Sequence, residues 1–529
     1  MNKIWIICGL GVSCLTLPVL ASVQFSSSLG SGGIDVLKLH QPPYNLTGSK
    51  IAIGQVEIGR PGMFGLDKAV SKNRAISPVA VFLGTTPAKS NSGVDPHAYN
   101  VAGLMVSHHK AWPGVAPDAR LYSSAVGSTK NMGQWEECLS TQHIALQNSG
   151  DVRAINFSFG EPFNRDPRPE AVLDGQALLT LCIDWSSRFH NVVYAIAGNQ
   201  GKGGIPIPTD NFNGINVAFS SPRAGIFNKV HVSNLAGNNQ GVGDHLVGKE
   251  FNIGGRRSIS LVAPGSNIPL LNPDGKLNKS TGSSFAAPHV TATVALLQEF
   301  ADRQLRIKQP NWTIDARNHQ VMKAVLLNSA DKIQDRGDGL SLGMTRTLVD
   351  KQNRHWFASD AYKDARIPLD DQMGIGHLNA FRAYQQFLPG QWQPPTSIPA
   401  IGWDYNTINT ASSVEYSLAK PLKHNSFVAI TLTWDRLVEL EDKNRNQEYD
   451  VNENFLDKGL NNLDLDLVKA DAPTTEVPTC CSVSKIDNVE HIFCPIPANG
   501  NYKIRVQFKE KVNKLTQAYS LAWWTVPVN

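Results

Sequence analysis

The chain has 529 residues and a mass of 57.7 kDa, a length that suits two or three domains rather than one. Hydrophobic residues make up 41% and charged residues 18%, which fits a folded core and excludes wholesale disorder. The 49 basic and 45 acidic residues leave a formal charge of +4, too small and too dispersed for a nucleic-acid footprint.

The N-terminus carries an address. Lys3 precedes an apolar run from Ile4 to Leu20, broken by Pro18, and Val19-Leu20-Ala21 offers small residues for cleavage. Residues 1–21 therefore read as a signal peptide, and the run is short for a bilayer. A lipoprotein site at Cys14 is disfavoured by Gly11. The expected location is secreted or periplasmic, with no membrane span in the mature chain. Residues 22–48, rich in Ser and Gly, read as a loosely ordered lead-in.

Short apolar runs then alternate with helical stretches over residues 49–388. Ile51 to Ile53, Ile155 to Ser158 and Val192 to Ala197 read as buried strands. Helices are predicted at 168–189, 285–305 and 318–330, which makes an α/β domain with a parallel sheet flanked by helices. Pro389-Gly390-Gln391-Trp392-Gln393-Pro394-Pro395 marks a linker over 389–400. From 401 to 529 the period changes to two, with Val428, Ile430, Leu432 and Trp434, Tyr502, Ile504 and Val506, and Tyr519, Leu521 and Trp523 alternating with polar or small neighbours. That is an antiparallel β-sandwich domain.

Removal of the signal leaves Cys138, Cys182, Cys480, Cys481 and Cys494. An odd count in an exported chain leaves at least one thiol free or intermolecular. Cys138 suits Cys182, and either Cys480 or Cys481 suits Cys494. No matching C-x-x-C or His pair makes the vicinal cysteines a zinc pattern.

The most informative stretch is Gly282-Ser283-Ser284-Phe285-Ala286-Ala287-Pro288-His289-Val290. A small-residue turn delivers a serine to a helix start, where the backbone dipoles favour developing negative charge. Ala286 excludes the G-x-S-x-G elbow. An isolated serine there would be an ordinary N-cap. The whole string resembles the G-T-S-M-A-A-P-H-V signature of subtilisin-like serine proteases, which makes Ser284 the expected nucleophile. His97-Ala98-Tyr99-Asn100-Val101-Ala102-Gly103 is similar to the family's H-G-T-H-V-A-G block, with three consecutive departures, and implies His97 as general base. Gly114-Val115-Ala116-Pro117-Asp118-Ala119 is similar to the turn that follows that histidine. The family's acid closes its first strand in D-T-G or D-S-G; here the strand closes in Glu57-Ile58-Gly59, so Glu57 is expected to orient His97, with Asp67 and Asp95 as alternatives.

Two further blocks extend the resemblance. Ala197-Gly198-Asn199-Gln200-Gly201 resembles the segment whose asparagine binds the oxyanion, which implies that role for Asn199. Asn156-Phe157-Ser158-Phe159-Gly160 is similar to the strand that pairs with an extended substrate, so Ser158, Phe159 and Gly160 are expected to bind peptide backbone by β-augmentation. Val262 to Gly265 and Gly374 to Ala380 match framework turns, and the β-sandwich resembles jelly-roll domains appended to exported bacterial subtilases. Many subtilases carry an inhibitory prodomain; the stretch from Ala21 to Ile51 is too short for one, so activation is expected to need signal removal at most.

Within the sandwich, Asp442, Asn444, Asn446, Asp450 and Glu453 stand at positions one, three, five, nine and twelve of a loop, with the Glu448 carbonyl at seven. That is the spacing of a calcium loop, although Gln447 replaces the usual glycine at six. The metal-free alternative is a hydrophilic hairpin. The expected activity is that of an exported serine endopeptidase acting on polypeptides, with no cofactor for catalysis and calcium in the C-terminal domain. The alternative is a non-catalytic binding protein on the same scaffold.

Overall fold

The computed structural model describes residues 28–127, 133–169, 171–198, 200, 206–223, 227–234, 252–471 and 477–528. The predicted signal peptide and Asn199 lie outside them.

Eight of the ten described strands of the main sheet organise the first domain: β1 (Ala52–Glu57), β2 (Ala80–Leu83), β3 (Arg120–Ala125), β4 (Val152–Phe157), β5 (Val193–Ala197), β6 (Ile215–Arg223), β7 (Phe227–Val230) and β8 (Leu261–Pro264). They run in the order β7-β6-β5-β4-β1-β3-β2, with β8 paired to β6. All these pairings are parallel except β6 with β7. Every residue of β1 and β4 is buried, as a parallel sheet covered on both faces requires. Neighbours along a strand feed opposite cores. Val193 and Ala195 join α1 (Pro96–Val106), α4 (Ala287–Arg306), α5 (His319–Asn328) and α6 (Ala380–Phe387). Tyr194 and Ile196 join α2 (Gln134–Ala145) and α3 (Leu178–Phe189). Period-two geometry makes that division. Helix α4 is buried on every side from Ala287 to Ala301, so it runs as the spine of one layer.

Three expectations are revised. Helix 168–189 begins only at Leu178, because Pro167 and Pro169 flank Arg168, which is held to Asp166 and Asp174. Residues 28–48 are packed rather than loose: Leu29, Ile34, Val36, Leu39 and Leu46 enter the main core. The Glu299 carboxylate on α4 also accepts the N–H groups of Thr47 and Gly48 at 2.8 and 2.7 Å. The linker is likewise pinned, since Gln391 donates to Asp315 and Asp404 and accepts from Thr313.

The second domain is a sandwich of two antiparallel sheets. One runs β9 (Ile401–Asn409), β16 (Thr516–Trp524), β11 (Phe427–Trp434), β14 (Val489–Pro495); the other runs β10 (Ser413–Ser417), β15 (Tyr502–Glu510), β12 (Asn462–Lys469), β13 (Cys480–Ser482). Val428, Ile430, Leu432 and Trp434 point between the sheets as predicted. Ala429, Thr431 and Thr433, on the opposite face, are buried too. That face lies against the first domain: Ala429, Phe493 and Trp524 share a core with Val262, Met344 and Trp356, and Thr431 donates to Asn328 on α5. Disulfides join Cys138 to Cys182, linking α2 to α3, and Cys480 to Cys494; Cys481 is a free thiol.

Candidate active site

Glu57, His97, Ser158 and Ser284 converge at the C-terminal edge of the parallel sheet, where ligands of open α/β sheets gather. Glu57 is the last residue of β1. His97 is the second residue of α1, whose N-cap Asp95 accepts the Ala98 N–H at 2.8 Å and whose Pro96 fits the first turn. Ser284 sits in a 3₁₀ turn, Ser283–Phe285, that leads into α4. Ser158 follows β4.

Glu57 faces His97, with Oε2 3.5 Å from Nδ1; the Glu57 side chain is 2% exposed and that of His97 is 39% exposed. The other oxygen, Oε1, accepts the Ile58 N–H at 2.9 Å. Burial pushes the carboxyl above its ordinary value, against the opposing pull of His97. The two alternative acids are engaged elsewhere. Asp67 forms a buried bidentate pair with Arg60 at 2.7 and 2.9 Å, and Asp95 caps α1. Beside His97 the Phe285 ring stands 5.5 Å away, centroid to centroid.

The Ser284 hydroxyl donates to the Ser158 carbonyl at 3.0 Å, and the Ser158 hydroxyl returns a bond to the Ser284 carbonyl at 2.8 Å. Asn156 donates to the Ser158 hydroxyl at 2.9 Å. The nucleophile turn and the strand expected to bind substrate are thus stitched together, and among the described residues the Ser284 hydroxyl has the Ser158 carbonyl as its acceptor rather than the imidazole. Phe159 is buried and stacks on Phe157 at 5.1 Å. His289, from the same signature, is buried in α4 with Nδ1 2.7 Å from the Phe285 carbonyl, and burial pushes it down to about 4; it is a structural histidine. Sequence reasoning passed over Gln200, whose side chain bonds the nucleophile turn; its only signal was its place beside Asn199.

The Asp442–Glu453 loop is closed by hydrogen bonds among its own residues. Gln447 takes the left-handed φ of 66° that position six requires. Asp442 accepts the N–H groups of Asn446 and Gln447, and Glu453 accepts those of Lys443 and Asp450. Asp450 accepts the side-chain amides of Asn444 and Asn446. Among the described residues, no three His, Cys, Asp or Glu side chains converge as a metal set. An oxygen cage here has to be completed by Asn444, Asn446 and the Glu448 carbonyl.

Residues 69–346, more than half of the chain, match the model of the subtilase family, Peptidase_S8. The chain belongs to the subtilase family. The matched span includes His97, Ser158 and Ser284; Glu57 lies upstream of it. Among curated proteins, the chain is 29% identical over 224 residues to the major intracellular serine protease of Bacillus subtilis, covering 41% of this chain and 59% of that protein. It is 26% identical over 288 residues to Subtilisin NAT of Bacillus subtilis subsp. natto, covering 53% and 62%. The subtilase chain thus spans about three-fifths of the length of these relatives. A solved structure, that of the prenylagaramide maturation protease PagA, aligns at TM-score 0.41 and 19% identity over 66% of this chain and 98% of that one. No described helix of this subtilase is long and apolar enough to cross a membrane.

Proposed function

We propose that this subtilase is an exported serine endopeptidase acting on polypeptides. The observation that carries the reading is the placement of Ser284 at the head of α4, on the same sheet edge as the His97–Glu57 pair. In this reaction the Ser284 hydroxyl leaves the Ser158 carbonyl and attacks the scissile carbonyl, and His97 takes its proton. Glu57 fixes the imidazole tautomer and stabilises the imidazolium. The 3.5 Å separation suits a resting site, since catalytic hydrogen bonds tighten in the substrate complex. Freed of the hydroxyl, Ser158 to Gly160 pairs with the substrate backbone, and Asn199 is assigned the oxyanion. Export is supported by the N-terminal pattern and by two disulfides.

A serine-reactive fluorophosphonate tests the reading. Labelling of the wild type and its loss in Ser284→Ala support the enzyme. A folded, mature wild type that does not label favours the alternative, a binding protein, which draws its support from the Ser284 hydroxyl resting on Ser158.

For the C-terminal loop we propose Ca²⁺, held by Asp442, Asn444, Asn446, the Glu448 carbonyl, Asp450 and Glu453. Support comes from the left-handed Gln447 and from Glu453 folding back over the loop. Binding to the folded state alone raises stability by mass action, so millimolar calcium is expected to raise the Tm of the full chain, and Glu453→Gln to remove most of that rise. An unchanged Tm in calorimetry rules the metal out.

A further inference from the structure

We infer that Gln200 is a positioning residue for the nucleophile, holding the turn so that the amide of Ser284 is the donor left open there; the inference rests on the serine-protease reading. The Gln200 Oε1 accepts the backbone N–H of Ser283 at 2.5 Å. The Ser283 hydroxyl donates to the Gly198 carbonyl at 2.6 Å and lies 3.1 Å from the same Oε1. Two tethers therefore run from the segment after β5 to the residue just before the nucleophile. The carboxamide also lies close over Gly282, where an added Cβ would stand 2.7 Å from Gln200 Nε2. A side chain at 282 would displace the carboxamide from this position.

The other amides of the turn are occupied. Gly282 donates to Gly265 at 2.8 Å, Phe285 to Gly282 at 3.1 Å and Ala286 to Ser283 at 2.9 Å. With Ser283 held by Gln200, the Ser284 N–H is the one amide of this turn without an acceptor among the described residues. It stands ahead of α4, where backbone dipoles favour negative charge. A preorganised N–H aimed at the developing oxyanion is the donor acyl transfer needs. Without the Gln200 acceptor, Ser283 becomes a second open donor and the turn is free to reorient.

Three variants separate this role from general support of the fold. Gln200→Met keeps the length and removes the acceptor. Gln200→Asn keeps the amide but falls one methylene short, and Gln200→Glu keeps an acceptor at full reach. With kcat measured per active site titrated by fluorophosphonate, Gln200→Met and Gln200→Asn are expected to lose roughly 10- to 100-fold in kcat, with KM changed less than about threefold, as for a misplaced reacting group. Gln200→Glu is expected to stay within about threefold of wild type. Wild-type kcat per titrated site in Gln200→Met or Gln200→Asn overturns the inference, as does a Gln200→Glu variant that fails to recover. If Gln200→Met does not fold, Gln200→Asn against Gln200→Glu makes the same comparison. A wild type that neither labels nor hydrolyses overturns the protease reading itself, before any substitution at Gln200.

Discussion

At Glu57 a longer side chain than the family's usual aspartate meets His97 from a strand end that is fully buried. If it orients the imidazole, Glu57→Gln keeps the fold but lowers kcat by on the order of 10⁴, because the amide admits the wrong tautomer. Glu57→Asp is expected to retain more activity than Glu57→Gln. Steady-state kinetics on one peptide substrate checks the order, and equal rates in wild type and Glu57→Gln refute the role. Ser284 was legible because its signature is contiguous, and a contiguous string survives without knowledge of the fold. The acid was not. Asp67, Asp95 and Glu57 all precede His97, and only folding shows Asp67 locked to Arg60 and Asp95 spent as a helix cap. The cysteines posed the same problem: spacing left Cys480 and Cys481 equivalent for Cys494, and strand alternation on β13 decided it.

Strand β9 carries a buried carboxyl of a different kind. Asp404 accepts the Tyr416 hydroxyl at 2.8 Å and the Gln391 amide at 3.1 Å. Burial outweighs both bonds and pushes it up from 3.8 to about 6. The folded value lies above the unfolded one, so the stability this group contributes is complete below about pH 4 and is lost as pH rises through about 6. Asp404→Asn should therefore flatten the stability–pH curve of the full chain over that window, by up to about 3 kcal/mol. Urea unfolding at a series of pH values measures it, and parallel wild-type and variant curves contradict it. Periodicity found β11 and β16 and their inward residues, yet it gave no sign that the small and polar positions between them are buried as well. Ala429 and Thr431 stood only as small or polar neighbours, because burial against another domain leaves no mark in a two-residue period. The compositional reading of 22–48 as loose failed over its described part, 28–48, for a related reason: the Ser and Gly content hides five apolar residues that enter the main core.

Across the whole molecule, the two domains are joined by a buried polar network. Arg436, beside β11, donates to Asp184 on α3 at 3.2 Å, to the Gly175 carbonyl at 2.9 Å and to Asp457 at 2.6 Å. His319 at the start of α5 lies 3.0 Å from Asp435. Replacing Arg436 by Met removes the ion-pair partner of buried Asp184, and breaking such a pair costs about 3–5 kcal/mol. Calorimetry is expected to show the wild type unfolding in one transition and Arg436→Met lowering that transition as a unit; two separate transitions in the wild type contradict the coupling. The sheet that faces the first domain has a further consequence for how the molecule is made. Its interior strand β16, the last in sequence, lies between β9 and β11, and Gln386 of α6 donates to the Trp523 carbonyl on it. Helices α5 and α6 therefore lack their covering until residue 524 has left the ribosome. On the proposed protease reading, a chain halted before residue 516 should carry an intact Ser284 signature and yet hydrolyse nothing in a peptide assay, so that activity would wait on the order in which the polypeptide arrives.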